Sequence, residues 1–284
     1  MFGKATPRSP VQPMKQLKSR ARDLHDLFGG MTVKYIAEKL ECRDSSDDAS
    51  VVRAYMEQRD FDLMGIKCQG NICGYVTRSG LQEGSCSDYQ QPFALTEIIA
   101  DSTPLIDLFQ LLRDRPSMFL LTRDRVHSIV TRGDLQKAPV RMFLFGLITL
   151  LEMHFLRFIR SRYPNDSWKE LLASDNEGRN QLKSARSLFS RKQKRNEEID
   201  LAECLYFKGK ALVILHTSQI LEKLSVTSEQ FQAFIEPANE LRNNLAHGSD
   251  MVQNLSWPQV IDLASEVEQL LERSEATNST DSRL

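Results

Sequence analysis

An arginine, an asparagine and a histidine lie close together in the second half of the chain: Arg242, Asn243 and His247. An arginine can neutralise a phosphate, an asparagine can hydrogen-bond it, and a histidine can shuttle protons at neutral pH. Together these groups would suffice for metal-free cleavage of RNA by the substrate's own 2′-hydroxyl. The structural alternative is that Arg242 forms a surface ion pair and His247 ends a helix.

The spacing of these residues constrains where they can point. On an ideal helix, at about 100° per residue, Arg242 and His247 lie about 140° apart, so one straight helix would not aim both at one phosphate. Gly248 is a natural helix terminator and predicts that His247 lies in the last turn or just beyond it. The helix dipole there would favour the imidazolium, the form that a general acid needs.

A second set of reactive side chains occurs twice, in the segments Thr77-Arg78-Ser79-Gly80 and Thr131-Arg132-Gly133-Asp134. A threonine at a strand end and an aspartate three residues later can face one small ligand. The hydroxyl and the free backbone N–H groups suit a phosphate, and the carboxylate suits paired ribose hydroxyls. The alternative is that Thr131 and Asp134 cap the following helix.

These segments end the two copies of an internal repeat. A shift of 54 positions aligns residues 51–81 with residues 105–135 without a gap, and seven of the 31 positions are identical. Each unit predicts a helix, a strand, a three-residue turn, a strand and the start of a helix. The predicted turns are Gln69-Gly70-Asn71 and Arg123-Asp124-Arg125.

With its Thr-Arg-x-x-Leu strand ends, the segment 31–138 resembles a tandem pair of CBS domains, a Bateman module. The resemblance implies an α+β fold of two β-α-β-β-α units that bind an adenine nucleotide such as ATP, ADP, AMP or S-adenosylmethionine. By this resemblance Thr131, Arg132 and Asp134 would contact the ribose and phosphate. The first copy offers Thr77 but has Gly80 in place of the aspartate, so we expect one competent site. Other modules of this kind serve only as dimerisation platforms.

The chain after Pro139 shows helical periodicity instead of strand alternation, which predicts an all-α domain. The Arg242–His247 segment follows an apolar helix and precedes a final helix, and it resembles the Arg-x4-6-His motif of HEPN domains over residues 139–273. The resemblance implies a homodimer that cleaves RNA without a metal and leaves a 2′,3′-cyclic phosphate. His247 would be the acid/base, Arg242 the phosphate ligand and Asn243 its support. Non-catalytic HEPN modules also exist.

Charge and cysteine usage limit the class of protein further. The net charge of −1 argues against bulk coating of nucleic acid, although residues 179–195 carry seven basic side chains and no acidic one. We interpret this stretch either as a solvent-exposed helix face or loop, or as a surface that binds successive phosphates. The first thirty residues are read as a basic flexible arm with a lead-in helix and residues 274–284 as a polar tail. Glu152 is read as a buried partner for an arginine.

Location and metal binding follow from the same composition. The first thirty residues lack an apolar core and the five cysteines are an odd number, so we expect reduced thiols, no metal site and a cytoplasmic protein. The longest apolar run is shorter than the roughly 20 residues that a bilayer needs, which predicts a buried helix rather than a membrane span.

Taken together, these features predict an adenine-nucleotide-regulated, metal-independent RNA endonuclease. The repeat pair would sense the nucleotide, and two helical domains would form the cleavage site. The alternative is a non-catalytic nucleotide-sensing scaffold in which the helical domain recruits a partner. Both readings share the nucleotide and the homodimer, whereas only the first requires RNA as a partner.

Overall fold

The computed structural model describes Asp23, Asp26 and residues 30–281, with the side chains of residues 277–281 left aside. The expected basic arm and lead-in helix over residues 1–30 therefore lie almost wholly outside the described residues. Residues 282–284 of the expected polar tail lie outside them too.

The first repeat forms a three-stranded sheet covered by one helix. The first elements have these bounds: β1 Glu38–Lys39, β2 Cys42–Asp44, α1 Ala49–Arg59, β3 Leu63–Cys68 and β4 Asn71–Thr77. Strand β2 pairs with β3 in parallel, and β3 pairs with β4 as an antiparallel hairpin. The Asp48 carboxylate accepts the first free N–H groups of α1, and Val52 and Met56 of this helix are buried against the sheet.

The second repeat has the same order of elements. Its bounds are β5 Ile98–Ala100, α2 Leu105–Arg113, β6 Ser117–Thr122 and β7 Arg125–Thr131. The four-stranded sheet has the order β1-β7-β6-β5, because β1 adds to the edge of β7. The hairpin register shifts after Ile66 in one repeat and after Leu120 in the other, which are positions 54 residues apart. The predicted repeat is therefore present in the fold as well as in the sequence.

Three details of the first repeat differ from the expectation. The hairpin turn has two residues rather than three, because Asn71 pairs with Cys68; the turn of the second repeat is shortened in the same way, since Arg125 pairs with Thr122. Gly70 takes a positive φ of 82° in the first turn. The unit lacks a closing α-helix in the described chain, since Gly84 has a non-helical φ of 122° and β4 is followed by two 3-10 turns, Cys86–Asp88 and Leu95–Glu97. Cys68 and Cys73 form a disulfide across the hairpin, with Cα atoms 5.8 Å apart, so the expectation that all thiols are reduced is wrong.

The second half is all-α, as the periodicity predicts. Its helices have these bounds: α3 Ala138–Arg162, α4 Lys169–Ala173, α5 Asn176–Gln193, α6 Phe207–Leu215, α7 Ser218–Lys223, α8 Ser228–His247 and α9 Trp257–Asp281. Helix α3 packs against α6, α8 and α9, and the Phe155 ring contacts those of Phe207 and Phe231. By length and composition alone α3 could cross a membrane, but 56% of its most apolar stretch is buried inside the fold.

The second repeat and the helical half share one hydrophobic core, whereas the first repeat has a separate one. A 3-10 turn, Arg132–Gln136, leads directly into α3, so the predicted boundary at Pro139 falls in the first turn of that helix. Across it, the Phe109 and Phe143 rings lie 6.2 Å apart and Arg113 pairs with Asp262 of α9 at 2.7 Å. Helix α9 runs past the predicted domain end at residue 273, and Ser274 is fully buried.

Candidate functional site

The two repeats enclose a cleft of about 1010 Å³. The segments Thr77-Arg78 and Thr131-Arg132 both line it, because each lies at the C-terminal end of the second hairpin strand of its repeat, β4 or β7. Tyr75 and Phe119, whose rings lie 4.9 Å apart, form part of an apolar wall between the sheets. A cleft of this size, with an aromatic wall and a few polar groups, is suited to a nucleotide-sized ligand.

In the second copy, Asp134 is held by its own chain. Its Oδ2 accepts hydrogen bonds from the Thr131 N–H at 2.7 Å and the Thr131 hydroxyl at 3.0 Å, and its Oδ1 lies 2.8 Å from the Lys137 ammonium. Burial lowers the pKa of Lys137, but hydrogen bonds to Asp134 and Glu38 outweigh it and leave that pKa raised. Asp134 thus acts as the predicted cap, and it is only 6% exposed.

Arg132 is positioned by the end of α2. Its Nε and Nη2 donate to the Leu112 carbonyl at 2.8 Å and the Arg113 carbonyl at 2.7 Å. Arg115 nearby donates to the Thr96 carbonyl. Within the described chain neither arginine forms an ion pair with a carboxylate, so both retain an uncompensated positive charge at the cleft.

In the first copy the arginine is neutralised. Arg78 pairs with Asp60 at 3.1 Å and with Asp62 at 2.6 Å, and hydrogen bonding to Asp60 is the main reason why the pKa of Arg78 is raised. The Thr77 hydroxyl accepts the Gly80 N–H at 3.2 Å. The two copies therefore meet at one cleft, but only the second combines an aspartate with an unneutralised arginine.

The cleft as a whole is more acidic than basic. Six carboxylates line it: Glu38, Glu41, Asp60, Asp62, Glu97 and Asp134. Four basic residues line it: Lys39, Arg78, Arg115 and Arg132. This balance favours a ligand with few negative charges over a triphosphate.

The Arg242–His247 segment lies at the end of α8, as predicted. The helix stops at His247, and Gly248 has a left-handed φ of 70°. Arg242 Nη1 donates to Asn243 Oδ1 at 3.4 Å, whereas the buried Nε of Arg242 has no partner among the described residues. His247 is exposed, and in the described chain no hydrogen bond joins it to Arg242 or Asn243. The structure thus brings Arg242 and Asn243 together and leaves His247 apart.

Two side chains that the sequence analysis missed connect this segment to the cleft. Arg141, in the first turns of α3, donates from Nη2 to the Asn244 carbonyl at 2.8 Å and from Nη1 to the Ser249 carbonyl at 2.9 Å. The Gln136 side-chain oxygen accepts from Arg141 Nη1 at 3.1 Å and from the Met251 N–H at 3.3 Å. Gln136 follows the cleft residue Asp134 by two positions, so hydrogen bonds connect the turn next to the cleft with the end of α8.

The other predicted groups have structural partners. Glu152 pairs with Lys210 at 2.8 Å, so its partner is a lysine rather than the expected arginine. His154 is buried and hydrogen-bonds to Ser274. Burial raises the pKa of the free Cys42, Cys86 and Cys204 thiols, which makes them poor nucleophiles. The described residues contain no cluster of metal-binding side chains.

No protein-family model matches the chain, and no curated protein matches its sequence. Several solved structures are similar to its N-terminal part. An uncharacterized conserved protein from Pyrococcus horikoshii is 17% identical over 37% of this chain and 89% of its own, with a TM-score of 0.33. A CBS domain-containing protein of unknown function from Bacillus anthracis is 9% identical over 39% and 93%, with a TM-score of 0.35.

A third similar structure is that of CBSX2 in complex with AMP. It is 18% identical over 40% of this chain and 98% of its own, with a TM-score of 0.35. The similarity of these CBS-domain proteins covers about the N-terminal two fifths of the chain.

Proposed function

We propose that this chain is an adenine-nucleotide-regulated RNA endonuclease that needs no metal. In this proposal the cleft between the repeats binds the nucleotide, and the helical halves of two protomers together supply Arg242, Asn243 and His247. The observation that carries the proposal is the chain of hydrogen bonds through Gln136 and Arg141, because it joins the proposed sensor to the proposed catalytic segment.

The nucleotide would lie across the cleft with its phosphate toward the second copy. Arg132, Arg115 and Lys39 are the lining cations without a carboxylate partner in the described chain, and the two guanidinium groups, which can each give a phosphate two hydrogen bonds, are the best ligands for an anion. The base would stack on Tyr75 and Phe119. The six lining carboxylates make AMP or S-adenosylmethionine the expected ligand rather than ATP. AMP, which is bound in one of the similar structures, is the first ligand to test.

In the proposed reaction the RNA 2′-oxygen bonds to the neighbouring phosphorus as its hydroxyl gives up a proton, the P–O5′ bond breaks, and the 5′-oxygen leaves with a proton. His247 is exposed at the helix end, where imidazole can accept the first proton and imidazolium can donate the second. Arg242 is half-buried, and its hydrogen bond to Asn243 orients the guanidinium that would contact the phosphate. Because Arg242 and His247 point about 140° apart on α8, a second protomer would complete the site.

A second candidate function is a nucleotide-sensing scaffold without catalysis. An apolar stripe on α3 favours it: Met142, Phe145 and Met153 are 60%, 38% and 41% exposed at helical spacing. A scaffold of this kind would bind a partner through the helical half and respond to the nucleotide, but it would not cleave RNA.

Cleavage of end-labelled RNA by the full chain in EDTA separates these functions. We expect His247→Ala and Arg242→Ala each to lower the rate by at least about 100-fold, because each removes a group that acts in the transition state. The matched control is His127→Ala, which removes an exposed histidine on β7. Equal rates for His247→Ala and the control, or no cleavage by the wild type with any nucleotide, would exclude the nuclease and leave the scaffold.

Regulation is tested separately with Gln136→Ala. The variant keeps every proposed catalytic and nucleotide-binding group but breaks the link to Arg141 and Met251. We expect AMP binding to persist while the effect of AMP on the cleavage rate falls several-fold. An unchanged AMP effect would show that the signal does not pass through Gln136.

A further inference from the structure

Helix α5 presents a basic face that the proposed catalytic segment does not use. Seven basic side chains and no acidic one occur in residues 179–195. At about 100° per residue, Arg179, Lys183 and Arg186 fall within an arc of about 60°, and Lys194, the C-cap residue with helical backbone angles, extends this arc to about 80°. The buried residues of the same helix, Gly178, Leu182 and Ala185, lie on a different face. The helix thus separates an inner packed face from an outer cationic one.

Most of the seven basic side chains have no partner in the described part of the protein. Five of the seven are exposed and form neither an ion pair nor a side-chain hydrogen bond there. They are Lys183, Arg186, Arg191, Lys194 and Arg195. Other cations in the helical half do have carboxylate partners: Arg160 contacts Asp200 and Glu203, and Lys208 contacts Glu177 and Glu236. Five unpaired like charges repel one another, so this face is best stabilised by an external polyanion.

The residues between the cations indicate which polyanion fits. Ser184, Ser187 and Ser190 are exposed and can donate hydrogen bonds to phosphate oxygens. An interfacial membrane helix instead inserts an apolar face, and here the apolar side of α5 packs against α4 and α6. The described part of the face offers no exposed aromatic ring for base stacking. These features suit a sugar-phosphate backbone recognised without regard to sequence.

We infer that this face of α5 binds the phosphate backbone of RNA. The inference rests on the proposed function, since it assigns the surface that holds the substrate. Lys183, Arg186 and Lys194 contact phosphates, and the neighbouring serines add hydrogen bonds. The RNA is therefore bound without selection for base sequence. This face provides binding affinity, and the Arg242–His247 segment determines which bond is cleaved.

The test is RNA binding by full-length protein carrying His247→Ala, so that the RNA stays intact during the measurement. In this background the triple variant Lys183→Ser, Arg186→Ser, Lys194→Ser is compared with a control that loses the same charge elsewhere. The control is Lys67→Ser, Arg123→Ser, Arg162→Ser, all at exposed positions without an ion pair among the described residues. Fluorescence anisotropy with a labelled single-stranded RNA of mixed sequence gives Kd over a series of salt concentrations.

We expect the α5 variant to bind RNA at least about 10-fold more weakly than its parent. Its plot of log affinity against log salt concentration should be less steep by about 2 units, because three phosphate contacts are lost. The control should stay within about 2-fold of its parent. Equal Kd and slope for the two variants would overturn the inference. So would an intact affinity for RNA combined with lost binding to phosphatidylserine vesicles, which would assign the face to a membrane. A wild type that binds RNA through this face without cleaving it would refute the nuclease alone.

Discussion

The two repeats have the same fold and different sites. Each has a parallel edge strand, a helix and a hairpin whose register shifts at the same place. The Arg78 N–H donates to the Asp62 carbonyl at 2.9 Å, and the Arg132 N–H donates to the carbonyl of Pro116, the equivalent residue, at 3.0 Å. The backbone is therefore conserved between the copies down to single hydrogen bonds.

The side chains at these equivalent positions set the difference. Asp62 places a carboxylate against Arg78, whereas Pro116 has none to place against Arg132. Gly80 provides only a backbone N–H where Asp134 provides a capping carboxylate. Asp60 also pairs with Arg78, whereas its counterpart Asp114 pairs with Arg113. Side chains around one shared backbone thus neutralise the arginine of the first copy and leave that of the second copy without a carboxylate partner.

The largest expected effect of breaking this asymmetry is on stability. Asp134→Ala removes the acceptor for the Thr131 N–H and leaves Lys137 without a buried carboxylate, so we expect it to lower the free energy of unfolding by about 2–3 kcal/mol. In the first copy, Asp62→Ala removes a carboxylate that is 83% exposed, and we expect a change below about 0.5 kcal/mol. Urea denaturation measures both, and equal losses would contradict the comparison.

The disulfide is a second difference between the copies. Cys68 and Cys73 correspond to Thr122 and His127, so only the first hairpin is cross-linked. Closing so short a loop stabilises the fold by about 2 kcal/mol in the chain-entropy model. We expect a reductant to lower the Tm of the wild type by several degrees and to leave the Cys68→Ser, Cys73→Ser variant unchanged. A Tm that does not respond to the reductant in either protein would show that the cross-link adds no stability.

The sequence predicted the parts of the fold that depend on local pattern. The repeat offset, the hairpins, the end of α8 at His247 and the all-α second half all follow from periodicity or from a single glycine. The hairpin turn was predicted one residue too long, because the pairing of Asn71 with Cys68 depends on the register of the whole ladder. Register is set by packing on the sheet face, which no short window reports.

The candidate site was predictable in its residues but not in their connections. The repeat predicted that Thr131, Arg132 and Asp134 lie together at one site. Their partners could not be predicted, because Arg132 donates to the backbone carbonyl of Leu112 and Lys137 is a residue type common at any protein surface. Lys210 lies 58 residues from Glu152, so their pairing requires the tertiary fold. The bonds from Arg141 to the Asn244 and Ser249 carbonyls were missed for the same reason: they form only when α3 meets the end of α8.

Ligand affinity should respond to the arginine of one copy and not the other. We expect Arg132→Ala to weaken AMP binding by about 10-fold, which corresponds to about 1.4 kcal/mol, because the variant removes an unneutralised charge from the cleft. Arg78→Ala should change the Kd by less than about 2-fold. Isothermal titration calorimetry at one ionic strength measures both, with Arg132→Lys as a control that keeps the charge but loses the planar fork. Equal losses for Arg78→Ala and Arg132→Ala would mean that the copies contribute alike.

The smallest expected effect comes from exchanging the residues that distinguish the copies. Asp62→Asn releases Arg78 from one carboxylate and should tighten AMP binding by about 2- to 3-fold, since the cleft then carries one negative charge fewer. Pro116→Asp places a carboxylate at the equivalent position beside Arg132 and should weaken binding by a similar factor. If charge is the cause, both effects shrink at high salt, because exposed charges are screened. Effects that persist in about 1 M salt would instead indicate a change in the shape of the cleft, and the asymmetry between the repeats would then be steric rather than electrostatic.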